Sequence, residues 1–131
     1  GTMANGARSY VGGIIGIADN SSVSGCTAIC KIGGSSAGSE IYSGGGIVGI
    51  LWTGSSCENS AYFGDITSLT PTKPGETYGS VAGSTAAGTK ITGCKFGGSV
   101  LGSTVTESNC SSFVAGDGNA AVSSCIYWNG K

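Results

Sequence analysis

The sequence contains no histidine, and only 10% of its 131 residues are Asp, Glu, Lys or Arg. Without histidine, the chain lacks the commonest general base and metal ligand of proteins. Seven acidic and six basic residues give a net charge of −1, and no run of Lys or Arg occurs. This balance argues against nucleic acid or an anionic membrane surface as a partner. No apolar stretch approaches the roughly 20 residues of a membrane-spanning helix, so no membrane insertion is expected in this segment.

Proline is also scarce, with two residues, whereas glycine is abundant, with 26. Glycine costs about 1 kcal/mol in a helix interior relative to alanine. No window shows the i, i+3, i+4 apolar spacing of an amphipathic helix. Apolar residues nevertheless make up 39% of the chain, unlike a disordered segment. These features predict one folded domain without helices.

Two short motifs recur along the chain at a period of about 33 residues. The first reads GGIIG at 12–16, GGIVG at 45–49, GSVAG at 79–83 and SFVAG at 112–116. The second begins at Val23, Cys57, Ile91 and Val122. Two independent motifs that keep one period indicate a repeat array. The predicted repeat domain covers 10–131, with approximate copies 10–42, 43–77, 78–109 and 110–131, and residues 1–9 are interpreted as a tag remnant or N-terminal extension.

The second motif alternates between two kinds of side chain. In copy one, Cys26, Ala28, Cys30 and Ile32 share one side, and Lys31 lies on the other. Such alternation is typical of a strand with one buried face. Two short strands cannot bury their apolar face alone, so the copies are expected to stack in parallel. The predicted fold class is all-β, a parallel β-solenoid of about four ~33-residue coils.

The alignment of the copies also predicts the core. One column of inward side chains is Ile14, Ile47, Val81 and Val114, and another is Ala28, Tyr62, Phe96 and Tyr127. A third column holds Cys26, Cys94 and Cys125, interrupted by Ser60 in copy two. Buried free cysteines behave as small apolar residues, and this interpretation is favoured over disulfides for most of the six cysteines. Only Cys94 and Cys125 are neighbours within the column.

Catalytic groups do not converge in this pattern. No two of the seven carboxylates fall at the same strand register on neighbouring copies, and no Ser or Thr has a base placed by a motif. A glycosidase would need two carboxylates flanking the scissile bond. The chain is therefore not expected to be an enzyme, and no catalytic residue, cofactor or metal site is predicted.

A binding role has three candidate residues. The outward position of the second motif holds Ile29, Phe63, Gly97 and Trp128 in successive copies, and Trp52 follows the first motif of copy two. Exposed aromatics can stack on the flat faces of sugars or anchor a protein partner. Phe63, Trp128 and Trp52 are the predicted ligand-binding residues. In the alternative interpretation, a loop such as 67–77 folds over this stripe and buries it.

The pattern GGIVG, a polar loop and then I-T-G-C-x-F/Y-x-G-x-V resembles the GLUG motif, a repeat of bacterial surface proteins. Copy three carries the second part best, through Ile91, Cys94, Phe96, Gly98 and Val100. The resemblance implies an exported, cell-surface or adhesin-like protein and carries over no catalytic residue.

The expected function is therefore a non-catalytic structural or adhesive segment that acts as a rigid spacer and presents loops, at an extracellular or cell-surface location. The partners expected are host or microbial glycans or surface proteins. The alternatives are a carbohydrate-binding module that uses the exposed aromatics and, more weakly, ice binding by a row such as Thr104-Val105-Thr106. An unpaired strand edge on copy four would favour end-to-end self-association.

Overall fold

Fifteen short β-strands and one 3-10 helix make up the part of the chain that the computed structural model describes, residues 10–33, 43–67 and 77–131. In chain order the first eight strands are β1 (Tyr10–Gly12), β2 (Ile15–Ala18), β3 (Ser22–Ser24), β4 (Thr27–Ile29), β5 (Ser43–Gly45), β6 (Val48–Leu51), β7 (Ser56–Glu58) and β8 (Ala61–Ile66). The other seven are β9 (Thr77–Gly79), β10 (Ala82–Thr85), β11 (Lys90–Thr92), β12 (Lys95–Val100), β13 (Ser103–Val105), β14 (Ala121–Ser123) and β15 (Ile126–Tyr127). The 3-10 helix, Cys110–Phe113, lies between β13 and β14. Within these ranges no helix is long and apolar enough to cross a membrane.

The strands form four sheets, in which equivalent strands of successive repeats lie side by side. The sheet orders are β1-β5-β9, β2-β6-β10, β3-β7-β11-β14 and β4-β8-β12, with β15 also paired to β12. Within these orders the pairing is parallel: Val23 pairs with Cys57, Cys57 with Ile91, and Ile91 with Val122. The prediction of an all-β fold with parallel strand pairing is confirmed.

Each of the first three repeats contributes one short strand to each of the four parallel sheets, so it has four such strands where the sequence predicted two. The Gly-Gly-apolar-apolar-Gly motif is a corner between two strands, since β1 ends at Gly12 and β2 begins at Ile15. A three-residue strand such as β3 is shorter than the window over which alternation is recognisable. Periodicity along the chain therefore identifies β8 and β12, which have six residues, more readily than the others.

A residue in the left-handed conformation occupies the equivalent turn of every repeat, between β3 and β4, β7 and β8, β11 and β12, and β14 and β15. The residue at this position is Gly25, Asn59, Gly93 and Ser124 in turn, with φ of 66°, 50°, 66° and 56°. Glycine adopts this conformation without steric cost, and asparagine tolerates it better than most residues. The recurring turn directs the inner side chains of both flanking strands into the same core.

A hydrophobic cluster is formed by side chains on the inner faces of the sheets. Ile47, Val81 and Val114 are 0%, 0% and 4% exposed, and backbone hydrogen bonds connect their positions in sequence. Tyr62 and Phe96 are register partners on β8 and β12, and both are fully buried. Ile47, Val81, Tyr62 and Phe96 each have a neighbouring repeat on both sides, whereas Val114 belongs to the last repeat and directly follows the 3-10 helix.

Side chains of the outer repeats are less buried than the alignment predicted. The inclusion of Ile14 in the core is wrong, because this residue is 42% exposed and packs against one neighbouring repeat in the described chain. Tyr127 of the last repeat is only half-buried for the same reason. Cys30 is likewise exposed, although the parallel ladder continues through it to the buried Ile32, so the prediction that Cys30 belongs to the core is wrong at this outer repeat.

The column of Cys26, Cys94 and Cys125 follows the same trend. Cys94, in the third repeat, is fully buried, whereas Cys26 and Cys125, in the first and fourth, are half-buried. Ser60 completes the column in the second repeat, and its hydroxyl accepts a hydrogen bond of 3.2 Å from the Cys26 backbone N–H. The predicted core position is therefore fully buried for Cys94 and only partly buried for Cys26 and Cys125.

The β10 edge ends in a side-chain cap, where a fourth-repeat strand was expected. In the repeat alignment Asp117 corresponds to Ser84, since each follows the last glycine of the first motif. The Asp117 carboxylate, however, accepts hydrogen bonds from the Thr85 backbone N–H at 3.1 and 3.2 Å. The Ser84 hydroxyl donates to the same carboxylate at 3.0 Å, and the Thr85 hydroxyl also donates to it. The Ala82–Ala115 bridge and the Asp117 carboxylate together cover the β10 edge. On copy four, where the unpaired edge was predicted, β14 pairs only with β11 and β15 only with β12 within the described chain.

A second cap covers the last residues of β12. Strand β13 folds back and pairs antiparallel with Gly98–Val100 after a turn at Leu101 and Gly102, whose φ values are 49° and 85°. Left-handed conformations at both central residues are typical of the tight hairpin turn whose twist matches paired strands. The hairpin therefore provides hydrogen-bond partners for Gly98–Val100, which β15 does not reach.

Replacing Asp117 with alanine should lower the free energy of unfolding by about 1–3 kcal/mol, because donors at the β10 edge lose a charged acceptor. Urea unfolding of the two proteins measures this difference. Glu107→Ala is the matched control, since Glu107 is also acidic but exposed, and its loss should change stability by less than about 0.5 kcal/mol. Equal effects of the two substitutions would contradict the capping role of Asp117.

Candidate functional site

A groove of about 240 Å³ lies beside Trp52 on the outer face of the sheet formed by β2, β6 and β10. Its walls are Tyr10, Ile17, Asp19, Ile50 and Trp52. We call these five residues the Trp52 groove. This groove brings together an exposed aromatic ring, other apolar side chains and a carboxylate.

The local sequence explains how the groove forms. Ile17 and Ile50 are register partners on β2 and β6, and they point away from the core because their neighbours Ala18 and Leu51 are fully buried. Trp52 follows β6 directly, and its backbone N–H donates to the Ala18 carbonyl at 2.8 Å. This bond fixes the backbone of Trp52 beside β2 while the indole remains 48% exposed.

The groove combines two aromatic rings with one exposed carboxylate. An indole and a phenol ring provide faces on which the C–H face of a sugar ring can stack. The exposed carboxylate of Asp19 can accept hydrogen bonds from hydroxyl groups. A few placed polar groups among apolar and aromatic walls are typical of small-ligand sites.

Sequence reasoning identified Trp52 but missed the other walls of its groove. The signal was present in the alignment: Ile17 and Ile50 both follow the last glycine of the first motif, at a position where later repeats carry Ser84 and Asp117. Of these two residues, Ile17 is 49% exposed and forms an apolar surface beside Trp52, whereas Ile50 is only 6% exposed.

The other two predicted ligand-binding residues lie together at a different place. Phe63 and Trp128 are half-buried against each other, with ring centroids 6.4 Å apart and planes at 82°. Lys95 Nζ lies 4.7 Å from the Trp128 ring centroid, and the indole N–H donates to the Lys131 carbonyl at 2.8 Å. An edge-to-face pair with one face covered by an ammonium group offers no flat platform for a ligand.

Gly97 explains why these rings meet. It pairs with Phe63 in register, and a Cβ at this position would collide with the Trp128 carbonyl and crowd the rings of Tyr127 and Phe63. The missing side chain leaves room in which the last residues of the chain pack onto β8 and β12. The alternative cover for this stripe, the loop at 67–77, lies mostly outside the described residues.

Three cysteine sulfurs form a second chemical feature, inside the core. Cys57 and Cys94 are fully buried, and their Sγ atoms lie 3.9 Å apart. The half-buried Cys125 lies beside Cys94 in the parallel ladder, since the Ile126 N–H donates to the Cys94 carbonyl at 3.0 Å, and the Cys125 thiol donates to the Ser123 carbonyl at 3.6 Å. We call Cys57, Cys94 and Cys125 the sulfur row. All three are free thiols.

The environment of the sulfur row disfavours thiolates. The hydrogen bond from Cys125 lowers the pKa of Cys94, but the hydrogen bond to Cys57 and burial outweigh it and raise this pKa to about 12. The hydrogen bond to Cys94, followed by burial, raises the pKa of Cys125 well above its usual range. In residues 10–33, 43–67 and 77–131, no three side chains of Cys, Asp or Glu form a group that could hold a metal ion.

Comparisons of the chain with protein-family models, with curated proteins and with solved structures find no match. The resemblance to the GLUG motif therefore depends on the motif residues alone.

Proposed function

We propose that the chain is a non-catalytic β-solenoid segment of four repeats that acts as a rigid spacer in an exported bacterial surface protein of the GLUG type. The observation that supports this proposal is the parallel pairing of each repeat with its successor across separate sheets. Stability in such an array is a sum of repeat terms and nearest-neighbour interfaces, so repeats can be added without redesign. Each added repeat would lengthen the array by about 4.8 Å, the spacing of paired strands.

Insertion of four extra copies of residues 43–76 after position 76 tests the spacer proposal. The array should grow along one direction by about 19 Å, which is four strand spacings. Its unfolding midpoint should rise because four more interfaces form. Small-angle X-ray scattering measures the longest dimension, and circular dichroism follows unfolding. The control insert has the same composition in scrambled order, and equal behaviour of the two inserts would refute the repeat-dependent architecture.

A second candidate function is carbohydrate binding, which the geometry of the Trp52 groove favours. The indole and Tyr10 would stack on a sugar ring while the Asp19 carboxylate accepts hydrogen bonds from its hydroxyls. This role is compatible with a spacer, because an adhesive segment needs both reach and a contact surface.

Glycan-array binding by the wild type, Trp52→Ala and Trp128→Ala tests the second function. We expect Trp52→Ala to weaken binding about tenfold or more, since loss of a stacked ring removes its contact area and its stacking geometry. Trp128→Ala is the matched control, because Trp128 is half-buried against Phe63 outside the groove. Failure of the wild type to bind any glycan, or equal binding by both variants, would reject this function.

A further inference from the structure

The sulfur row places thiols of three successive repeats in contact. Cys57 and Cys94 are not equivalent positions, since Cys57 pairs with Ile91 and Cys94 lies three residues further along the chain. Their side chains therefore approach each other diagonally across the turn at Gly93, whose φ is 66°. Cysteines stacked in register extend side by side, whereas a disulfide requires a dihedral angle near 90° about its S–S bond. The diagonal pair is better placed for this geometry than the column pair Cys94 and Cys125.

We propose that Cys57 and Cys94 form a disulfide that joins the second repeat to the third when the folded chain meets a small-molecule disulfide, and that Cys125 is the thiol that reacts first. The Sγ atoms of the pair are already 3.9 Å apart, so a modest side-chain rotation closes the bond. The site is a covalent modification site and does not depend on the proposed spacer or sugar-binding functions.

Burial determines the order of the steps. Cys57 and Cys94 are 0% exposed, so a solution reagent does not reach them directly. Cys125 is half-buried and therefore the accessible member of the row, and strand pairing places it beside Cys94, since Ile126 is the register partner of Lys95. Exposure of the attacking thiolate is one of the factors that set the rate of thiol–disulfide exchange.

The chemistry consists of three exchange steps. The Cys125 thiolate attacks one sulfur of the small disulfide, forms a mixed disulfide and releases one small thiolate, which takes up the proton that Cys125 lost. The Cys94 thiolate attacks the Cys125 sulfur and expels the second small thiolate, which is protonated in turn. The Cys57 thiolate then attacks the Cys94 sulfur and restores Cys125 as a thiol. Overall, two protein thiols are oxidised by two electrons, and one small disulfide is reduced to two small thiols.

The pH dependence of the reaction follows from the thiolate requirement. Because the pKa of Cys94 is about 12 and that of Cys125 is also raised well above its usual range, the thiolate fraction of each rises about tenfold for each pH unit between 7 and 9. The rate of disulfide formation should rise by a similar factor. A rate independent of pH over this interval would contradict exchange through Cys94.

Tryptic mapping identifies the bond directly. Cleavage after Lys31, Lys90 and Lys95 places Cys57 in peptide 32–90, Cys94 in 91–95 and Cys125 in 96–131. The folded protein is incubated with oxidised and reduced glutathione, alkylated, digested and analysed by mass spectrometry. We expect 32–90 to be linked to 91–95 once the reaction is complete. A final product that links 91–95 to 96–131, or a protein that keeps all six thiols, would overturn the proposal.

Four variants separate the roles of the cysteines. Cys57→Ala and Cys94→Ala should each abolish the cross-link, with circular dichroism used to confirm that they fold. Cys125→Ser should form the same cross-link at least about tenfold more slowly, because the accessible thiol is lost; an unchanged rate would refute its first-reacting role. Cys110→Ser is the matched control and should react like the wild type, since the Cys110 thiol contacts the Glu107 carbonyl and lies outside the row.

The cross-link should also change the stability of the fold. A disulfide between Cys57 and Cys94 closes a loop of 37 residues in the unfolded chain. A disulfide that closes a loop of this size should raise the unfolding temperature of a chain of this length by roughly 10 °C. Oxidised and reduced wild type are compared by thermal unfolding, and the shift should disappear in Cys94→Ala. A shift that persists in Cys94→Ala would place the stabilising modification elsewhere.

Discussion

Replacing Gly46 with alanine is expected to destabilise the fold by at least about 3 kcal/mol. Gly46 lies in the buried corner between β5 and β6, where its N–H donates to the Gly79 carbonyl at 3.2 Å and its carbonyl accepts from Gly13 at 2.9 Å. An added Cβ would collide with the Ser80 carbonyl and with the ring of Tyr62. These neighbours are a backbone atom of the adjacent repeat and a fully buried ring, so neither can move independently.

The expected loss from Gly46→Ala is at least about 3 kcal/mol, at the upper end of the overpacking range, against a total stability of about 5–15 kcal/mol. Urea unfolding measures the loss, or circular dichroism shows that the strand signal is missing. Gly118→Ala is the matched control, because no atom lies within 4 Å of the Cβ it would add. This control should be neutral or slightly stabilising. A Gly46→Ala protein as stable as the control would contradict the close contact between these repeats.

The repeat period predicted the strand pairing well, because it depends on comparison between copies and not on local propensity. Equivalent residues such as Tyr62 and Phe96 share one environment, so alignment of the copies places them beside each other without knowledge of the strand boundaries. The number of strands was underestimated for a local reason. Three-residue strands bounded by glycine and serine have too few side chains to show alternation.

The ends of the array could not be predicted by the same comparison. A repeat alignment assigns Asp117 the role of Ser84, yet the carboxylate reaches the backbone of the strand it was expected to extend. Ile14 aligns with the buried Ile47 but has one neighbouring repeat in the described chain and is exposed. Burial depends on how many repeats flank a residue, and the motif contains no information about that number.

The candidate site was predicted one residue at a time and therefore incompletely. Trp52 was recognisable as an exposed aromatic, whereas its groove needs Tyr10 and Asp19 from the preceding repeat. Phe63 and Trp128 were grouped correctly on one outer face, but the sequence gave no sign that their rings would pack edge to face. The diagonal contact between Cys57 and Cys94 was also missed, because the two cysteines belong to different columns.

The central ring of the core provides a further test. Tyr62 is 0% exposed and lies between its register partners Ala28 and Phe96. Its hydroxyl donates to the Cys30 carbonyl at 2.8 Å. Burial, followed by the nearby Cys30 and Asp65, raises the pKa of Tyr62 well above its usual range, so the phenol remains a hydrogen-bond donor at neutral pH. The residue therefore combines a large apolar contact area with one polar bond at the edge of the core.

Tyr62→Ala should lower the free energy of unfolding by about 3–5 kcal/mol, since loss of a buried ring removes its apolar contacts and leaves a cavity. Tyr62→Phe should cost only about 0.5–1.5 kcal/mol, because the ring remains and only the hydrogen bond to the Cys30 carbonyl is lost. Urea unfolding of both variants separates packing from the hydrogen bond. If Tyr62→Phe were as unstable as Tyr62→Ala, the hydroxyl bond would be the main contribution. The column from Ala28 to Phe96 would then not be the packed centre that joins the repeats.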